Sequence, residues 1–260
     1  MALVSWLLPL NNYLCRLMKQ FLGYILSAIH YPAFGLLLLI FQPVQWFCYK
    51  VFGYAAHKRS VDILNFFLTK TYYLLGNRVS FTNKQNLPLS RPIIFICNHQ
   101  SMYDVPPLIY YLRRYHAKFI SKIELTKGIL SISYNLKVGG GANIDRKDPR
   151  QAIMELSKLG TRMKDQSWST VIFPEGTRSK DGHVKPFQSA GVATILKKCP
   201  NALLVPIAIN NAWKMVQHGI YPLGPFEHLT FEVLPPVEPN GRPADELVKE
   251  IEETIRLKAG

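Results

Sequence analysis

The chain has 260 residues, enough for one large domain or for one medium domain with an attached segment. Its 31 lysines and arginines against 17 aspartates and glutamates leave a net charge of +14, which favours acidic partners such as phosphorylated substrates or an anionic membrane surface. The four cysteines, Cys15, Cys48, Cys97 and Cys199, lack C-x-x-C spacing, so they give no zinc signature and no disulfide framework; they suit a reducing compartment as small apolar fillers.

In chain order, the first feature is an uncharged run from Phe21 to Phe47. As one helix its 27 residues would measure roughly 40 Å, against about 30 Å of bilayer hydrocarbon. Two forms fit: one tilted span, or shorter helices broken at Pro32 and Pro43 that re-enter or lie in the interface. Arg16 and Lys19 precede the run, and Lys50, Lys58 and Arg59 follow it, which suits a hairpin with both ends on the cytoplasmic side. Residues 1–10 carry no basic side chain, which argues against a cleaved signal peptide. A hairpin buried in a larger soluble core is the alternative, but the length of the run favours membrane attachment. The expected division is residues 1–58 as hydrophobic attachment helices and residues 59–260 as the domain.

Beyond Lys58, helical apolar spacing over residues 61–75 leads to a strand at "RVSFTN". The continuous apolar run "IIFIC" reads as a buried parallel strand. Next come a helix at "VPPLIYYLRRY", a strand at "AKFIS", an amphipathic helix at "PRQAIMELSKLGTRMK" and a strand at "STVIF". A helix at "FQSAGVATILKKC", strands at "LLVPIAI" and "LTFEVLP", and a C-terminal helix started by Pro243 to Asp245 complete the chain. Strands separated by helices predict an α/β fold with a mainly parallel central sheet flanked by helices. In such sheets ligands collect at the carboxyl ends of strands, and "NHQSMYD" and "FPEGTRS" each follow a strand directly.

His99 and Asp104 stand five residues apart, so a regular helix or strand would separate them. A strand-to-helix corner brings them together, and Pro106 and Pro107 support one, with Val105 steered away from the α region. Asp104 would then fix the imidazole tautomer, leaving the other ring nitrogen to take a proton from a nucleophile. Ser101 is not on a hydrolase elbow and Cys97 ends a buried strand, so a substrate hydroxyl is the simplest nucleophile. The bland alternative is a Ser101-x-x-Asp104 capping box beside an ordinary histidine. In the second stretch Pro174 stops a strand, Gly176 admits a close backbone approach, Thr177 offers a hydroxyl, and Arg178 presents a planar fork for phosphate. Glu175 either holds Arg178 or bonds a substrate hydroxyl; the alternative for the whole stretch is a charged surface turn. The glycines of "VGGGANIDR" form either an anion nest or a turn ending a strand, with Arg146 close behind. Lys122 is either a phosphate contact or a solvated lysine. No metal site is expected.

These stretches together resemble the glycerolipid acyltransferase family, most closely its bacterial-type 1-acylglycerol-3-phosphate acyltransferases. Residues 98–104 match the N-H-x-x-x-x-D block, Arg146 falls at the arginine of the second block, "FPEGTRS" matches the third and "VPI" at 205–207 the fourth; Lys122 with Glu124 and Leu125 resembles the Lys-x-Glu-Leu segment. Asn143 stands where an aromatic is common, and Ala190-Gly191 replaces a Gly-Ala pair. The resemblance implies His99 as general base, Asp104 behind it, and Lys122, Arg146, Glu175, Gly176, Thr177 and Arg178 around the acceptor's glycerol phosphate. It implies lysophosphatidate and acyl-CoA or acyl carrier protein as substrates, no cofactor, and a site on the cytoplasmic face of a membrane, the bacterial inner membrane by likeness. The competing readings are an acyltransferase using glycerol 3-phosphate or another lysophospholipid, a membrane-bound ester hydrolase, and a non-catalytic membrane-surface protein. Nucleic-acid binding has no motif behind it.

Overall fold

The computed structural model describes residues 2–259, with side-chain surroundings from residue 14 onward, so those of residues 1–10 lie outside the described set. It opens on a helix, α1 (Ala2–Thr71), that changes direction at Gly53. The backbone there has φ 78° and ψ −168°, a region open to glycine alone. Of the two forms, the one broken at Pro32 and Pro43 is not seen, since the helix runs through both. A proline removes one N–H from the ladder; a residue that reverses the sign of φ turns the chain. The two arms run antiparallel: Nδ1 of His30 lies 3.1 Å from the Thr71 carbonyl, the Phe41 and Phe67 rings are 6.5 Å apart, and those of Tyr49 and His57 5.7 Å.

The arms have different surfaces. The second arm buries Val61, Leu64 and Leu68 against the domain. The first leaves Phe21, Ile29, Leu36, Leu39, Trp46 and Phe52 exposed, and the helix is long and apolar enough to cross a membrane. Polar contacts nevertheless moor the first arm: the Leu223 N–H donates to Ser27 Oγ at 2.8 Å, and Ser131 Oγ to the Leu38 carbonyl at 2.7 Å.

After a 3-10 turn the sheet begins. Its strands are β1 (Arg78–Asn83), β2 (Ile93–Cys97), β3 (Ala117–Lys122), β4 (Ala142–Ile144), β5 (Ser169–Ile172), β6 (Leu203–Asn210) and β7 (His228–Val233), in the order β1-β7-β6-β2-β5-β3-β4. Every pairing is parallel except β6 with β7. The mainly parallel α/β expectation holds, with one antiparallel pair near an edge.

The helices are α2 (Val105–Tyr111), α3 (Ile132–Val138), α4 (Pro149–Gln166), α5 (Ala190–Lys198) and α6 (Ala244–Arg256). Central strand β2 is buried throughout because both its faces are covered. Ile93, Phe95 and Cys97 pack with Tyr72, Leu108 and Leu112 on one side. Ile94 and Ile96 pack with Leu159, Ile195 and Ile251 on the other, as alternation along a strand requires. The short α3 and β4 escape the sequence reading: each is under two turns or four residues, too brief to show a period.

Candidate active site

β2 ends at Cys97, and the chain turns through Ser101 into a 3-10 turn, Met102–Asp104, that runs straight into α2. This corner brings His99 onto Asp104: Nδ1 lies 2.8 Å from Oδ2. Val105 is helical after all (φ −71°, ψ −49°); the 3-10 turn makes the corner, and the two prolines follow in the first turn of α2. Asp104 is fully buried. Its Oδ2 also accepts the N–H groups of Gln100 at 2.7 Å and Ser101 at 2.9 Å, while Ser101 Oγ donates to Oδ1 at 3.3 Å. The capping box exists as well, with the Tyr103 N–H donating to Ser101 Oγ at 3.1 Å. The two readings of this stretch are therefore compatible, because one carboxylate has acceptor sites enough for both. As an acceptor, Asp104 draws the proton of the ring to Nδ1 and leaves the Nε2 lone pair free. Burial pushes the Cys97 thiol well above its ordinary range, so it is no nucleophile.

The third block follows β5, the strand beside β2. Gly176 closes its turn at φ 69°, with its N–H on the Phe173 carbonyl at 3.1 Å; an added Cβ would meet nothing, so conformation rather than space calls for glycine. Glu175 is buried, and its oxygens accept from the backbone: His99 N–H at 2.8 Å and Lys185 N–H at 3.3 Å. Among the described residues it makes no ion pair with Arg178. Burial raises its carboxyl to about 7, against the pull of the two N–H donors and the Lys185 cation. The Ser179 N–H donates to the His99 carbonyl at 2.7 Å. His99 is thus tied to the third block through both its main-chain polar groups.

Three contributors went unread in the sequence. The Phe173 ring stacks on His99, centroids 4.1 Å apart and planes 19° from parallel. Asn98 exchanges two hydrogen bonds with Ile209 of β6, at 2.8 and 2.7 Å. Lys185 Nζ donates to Thr177 Oγ1 and to the Arg178 carbonyl. The first two join distant strands, so no local spacing could reveal them.

Arg178 and Thr177 are exposed, as are Lys122 and Arg146, and the side chains of the last two make no hydrogen bond or ion pair among the described residues. Pairing of β3 with β4 puts Lys122 beside Ile144, two residues before Arg146. The strand order β2-β5-β3-β4 sets His99, then Arg178, then Lys122, then Arg146 along one carboxyl edge. The glycine run joins α3 to β4 rather than ending a strand. A Cβ on Gly140 would strike the Trp168 ring at 2.8 Å, and one on Gly141 the Phe119 carbonyl at 2.6 Å, so close packing accounts for both.

A cavity of about 460 Å³ runs from this edge between the arms of α1 and the sheet. His99, Met102 and Arg178 contribute to its wall, and Leu64, Leu68, Pro106, Phe119, Ile132 and Leu136 make its middle apolar.

Comparison with known proteins decides the kinship. Residues 78–210, just over half of the chain, match the family model "Acyltransferase". The chain belongs to the acyltransferase family. Among acyltransferase relatives, a chloroplastic 1-acyl-sn-glycerol-3-phosphate acyltransferase of Brassica napus is 36% identical over 142 residues, 52% of this chain and 38% of that protein. The human 1-acyl-sn-glycerol-3-phosphate acyltransferase alpha is 28% identical over 187 residues, covering 60% of this chain and 65% of its own length. The chain thus spans less than two thirds of either relative. In fold it resembles the crystal structure of the 1-acyl-sn-glycerophosphate acyltransferase PlsC of Thermotoga maritima, with a TM-score of 0.69, 20% identity and 95% of each chain covered.

Proposed function

We propose that this acyltransferase moves an acyl chain from acyl-CoA or acyl carrier protein to the sn-2 hydroxyl of lysophosphatidate, giving phosphatidate. The observation that carries the reading is His99, 2.8 Å from buried Asp104, in the wall of an apolar cavity that also includes Arg178. The names of the Brassica napus and human relatives agree with it.

In this scheme Nε2 of His99 accepts the proton of the sn-2 hydroxyl as that oxygen attacks the thioester carbonyl. The tetrahedral intermediate collapses, the C–S bond breaks, and the departing sulfur receives the proton from the imidazolium. Asp104 holds the ring and stabilises its transient charge. Phe173 fixes the ring plane. Arg178, with Lys122 and Arg146 further along the edge, attracts the acceptor's phosphate, while Gly176 and Thr177 shape the turn beneath it. Glu175 acts by aligning the His99 backbone. The apolar cavity takes the chain of the thioester. Residues 1–58 hold the site at the cytoplasmic face of the membrane, the bacterial inner membrane by likeness, where lipid acceptor and product reside; the net charge of +14 draws the rest to anionic headgroups.

The test is one assay of the purified protein in lipid vesicles. Labelled acyl-CoA and acyl carrier protein are offered with lysophosphatidate, glycerol 3-phosphate and other lysophospholipids, and products are identified. Phosphatidate formed in step with free thiol is expected. Thiol release that does not need an acceptor would make the protein a hydrolase, and transfer to glycerol 3-phosphate alone would move it to another acceptor class.

A further inference from the structure

The far end of the cavity is polar, which a plain hydrocarbon chain does not explain. Gln45 and His57 are each 1% exposed and both line the cavity. Among the described residues, neither amide atom of Gln45 nor Nε2 of His57 has a hydrogen-bond partner. Leaving a buried amide unpaired is expensive, so such groups normally have a partner. Close by, Lys118 is 7% exposed, donates to Tyr54 Oη and lies 4.4 Å from the centroid of the Trp168 ring. Lys58 and Asp62 form an ion pair at 2.6 Å in the same lining. Burial and the neighbouring Lys58 cation lower the Lys118 ammonium to about 7.

These groups lie far from the reacting centre. Phe34 packs on Tyr103, beside Asp104, at 6.3 Å between centroids. Gln45 is eleven residues further along the same helical arm, about 16 Å at 1.5 Å per residue. His57 and Leu68 are separated by the same count on the other arm.

We propose that the cavity selects an acyl chain bearing a hydroxyl in its distal half, held by Gln45 and His57. The inference rests on the reading of the cavity as the site of the thioester's chain. A hydroxyl both donates and accepts, as the Gln45 amide does. A carboxylate only accepts, and would leave Gln45 Oε1 unpaired.

The experiment is competition. Plain, ω-hydroxy- and ω-carboxyacyl-CoA of equal length, from lauroyl to stearoyl, are offered in competition with lysophosphatidate in vesicles, and the phosphatidates are quantified by mass spectrometry. At one length the hydroxylated chain should win by about tenfold in kcat/KM, the scale of one net hydrogen bond. Gln45→Leu should bring that ratio towards one. β-Hydroxypalmitoyl-CoA, whose hydroxyl stays near the thioester, should show no advantage over palmitoyl-CoA. If no ω-hydroxyacyl chain outcompetes its plain partner at any length, the inference is overturned and the acyl-transfer reading stands; preference for an ω-carboxyl chain overturns it in favour of an anion. No transfer from any thioester overturns both.

Discussion

At the His99 end of the cavity, Asp104 meets four protein donors with its two carboxylate oxygens, whereas at the far end Gln45 has a partner among the described residues for neither amide atom. The first end comes from neighbours in sequence: a seven-residue stretch folds on itself, and a second stretch, one strand away, locks it. The second end is assembled from the two arms of α1 with β3, which lies roughly 60 to 75 residues further along the chain. A group that must stay in one orientation through a reaction needs its partners within the protein. A group that awaits a ligand keeps hydrogen-bonding capacity in reserve.

The contrast can be broken most forcefully at His99. His99→Ala should lower kcat/KM by about 10²–10⁴, the usual worth of a general base, with circular dichroism and vesicle association unchanged. Retention of full activity would remove the histidine from the chemistry. Arg178→Ala should raise the KM for lysophosphatidate by about ten- to a hundredfold, the range of one charge-assisted hydrogen bond, and change kcat less. An unchanged KM would dissociate that arginine from the phosphate.

Two further changes probe the far end. Gly53→Ala places a side chain at φ 78°, ψ −168°, a conformation costing about 1–3 kcal/mol, although its Cβ would strike nothing. Melting should fall by about 2–4 °C per kcal/mol, and any hydroxyl selectivity should blur as the arms lose register. Equal melting temperatures would mean that the bend needs no glycine. The smallest effect concerns Lys118, lowered in the folded protein to about 7 from an ordinary 10.5. Below pH 7 both folded and unfolded chains carry the proton, and the cost of burying the charge is felt in full. Between 7 and 10.5 the unfolded chain binds more protons, so stability rises with pH. Lys118→Met abolishes that dependence. Its melting temperature relative to the parent should be most favourable below pH 7 and decline towards pH 10.5, with Lys58, Asp62 and Arg162 supplying the remaining charge around it and His116 held neutral by burial, its pKa lowered to about 3. A difference that stays constant with pH would show that the ammonium is not buried as described.

What the sequence disclosed follows the same division. "IIFIC" announced a strand covered on both faces, and β2 is that strand. The spacing of His99 and Asp104 demanded a corner, and a 3-10 turn supplies it. Pro32 and Pro43 drew attention from Gly53 because proline's constraint is visible in any sequence, whereas a glycine reveals its use only when φ is known. The Phe173 stack on His99 and the Gln45–His57 end were hidden for a different reason: each joins residues whose proximity is created by sheet order or helix pairing alone.

The two main-chain bonds from His99 to Glu175 and Ser179 have a consequence for how such an enzyme diversifies. On the acyl-transfer reading proposed above, the loop that receives the acceptor's phosphate is also the splint of the ring that takes the proton. A lineage that remodels this loop to greet a new headgroup shifts the imidazole in the same stroke, so selectivity and turnover are inherited together rather than tuned one at a time.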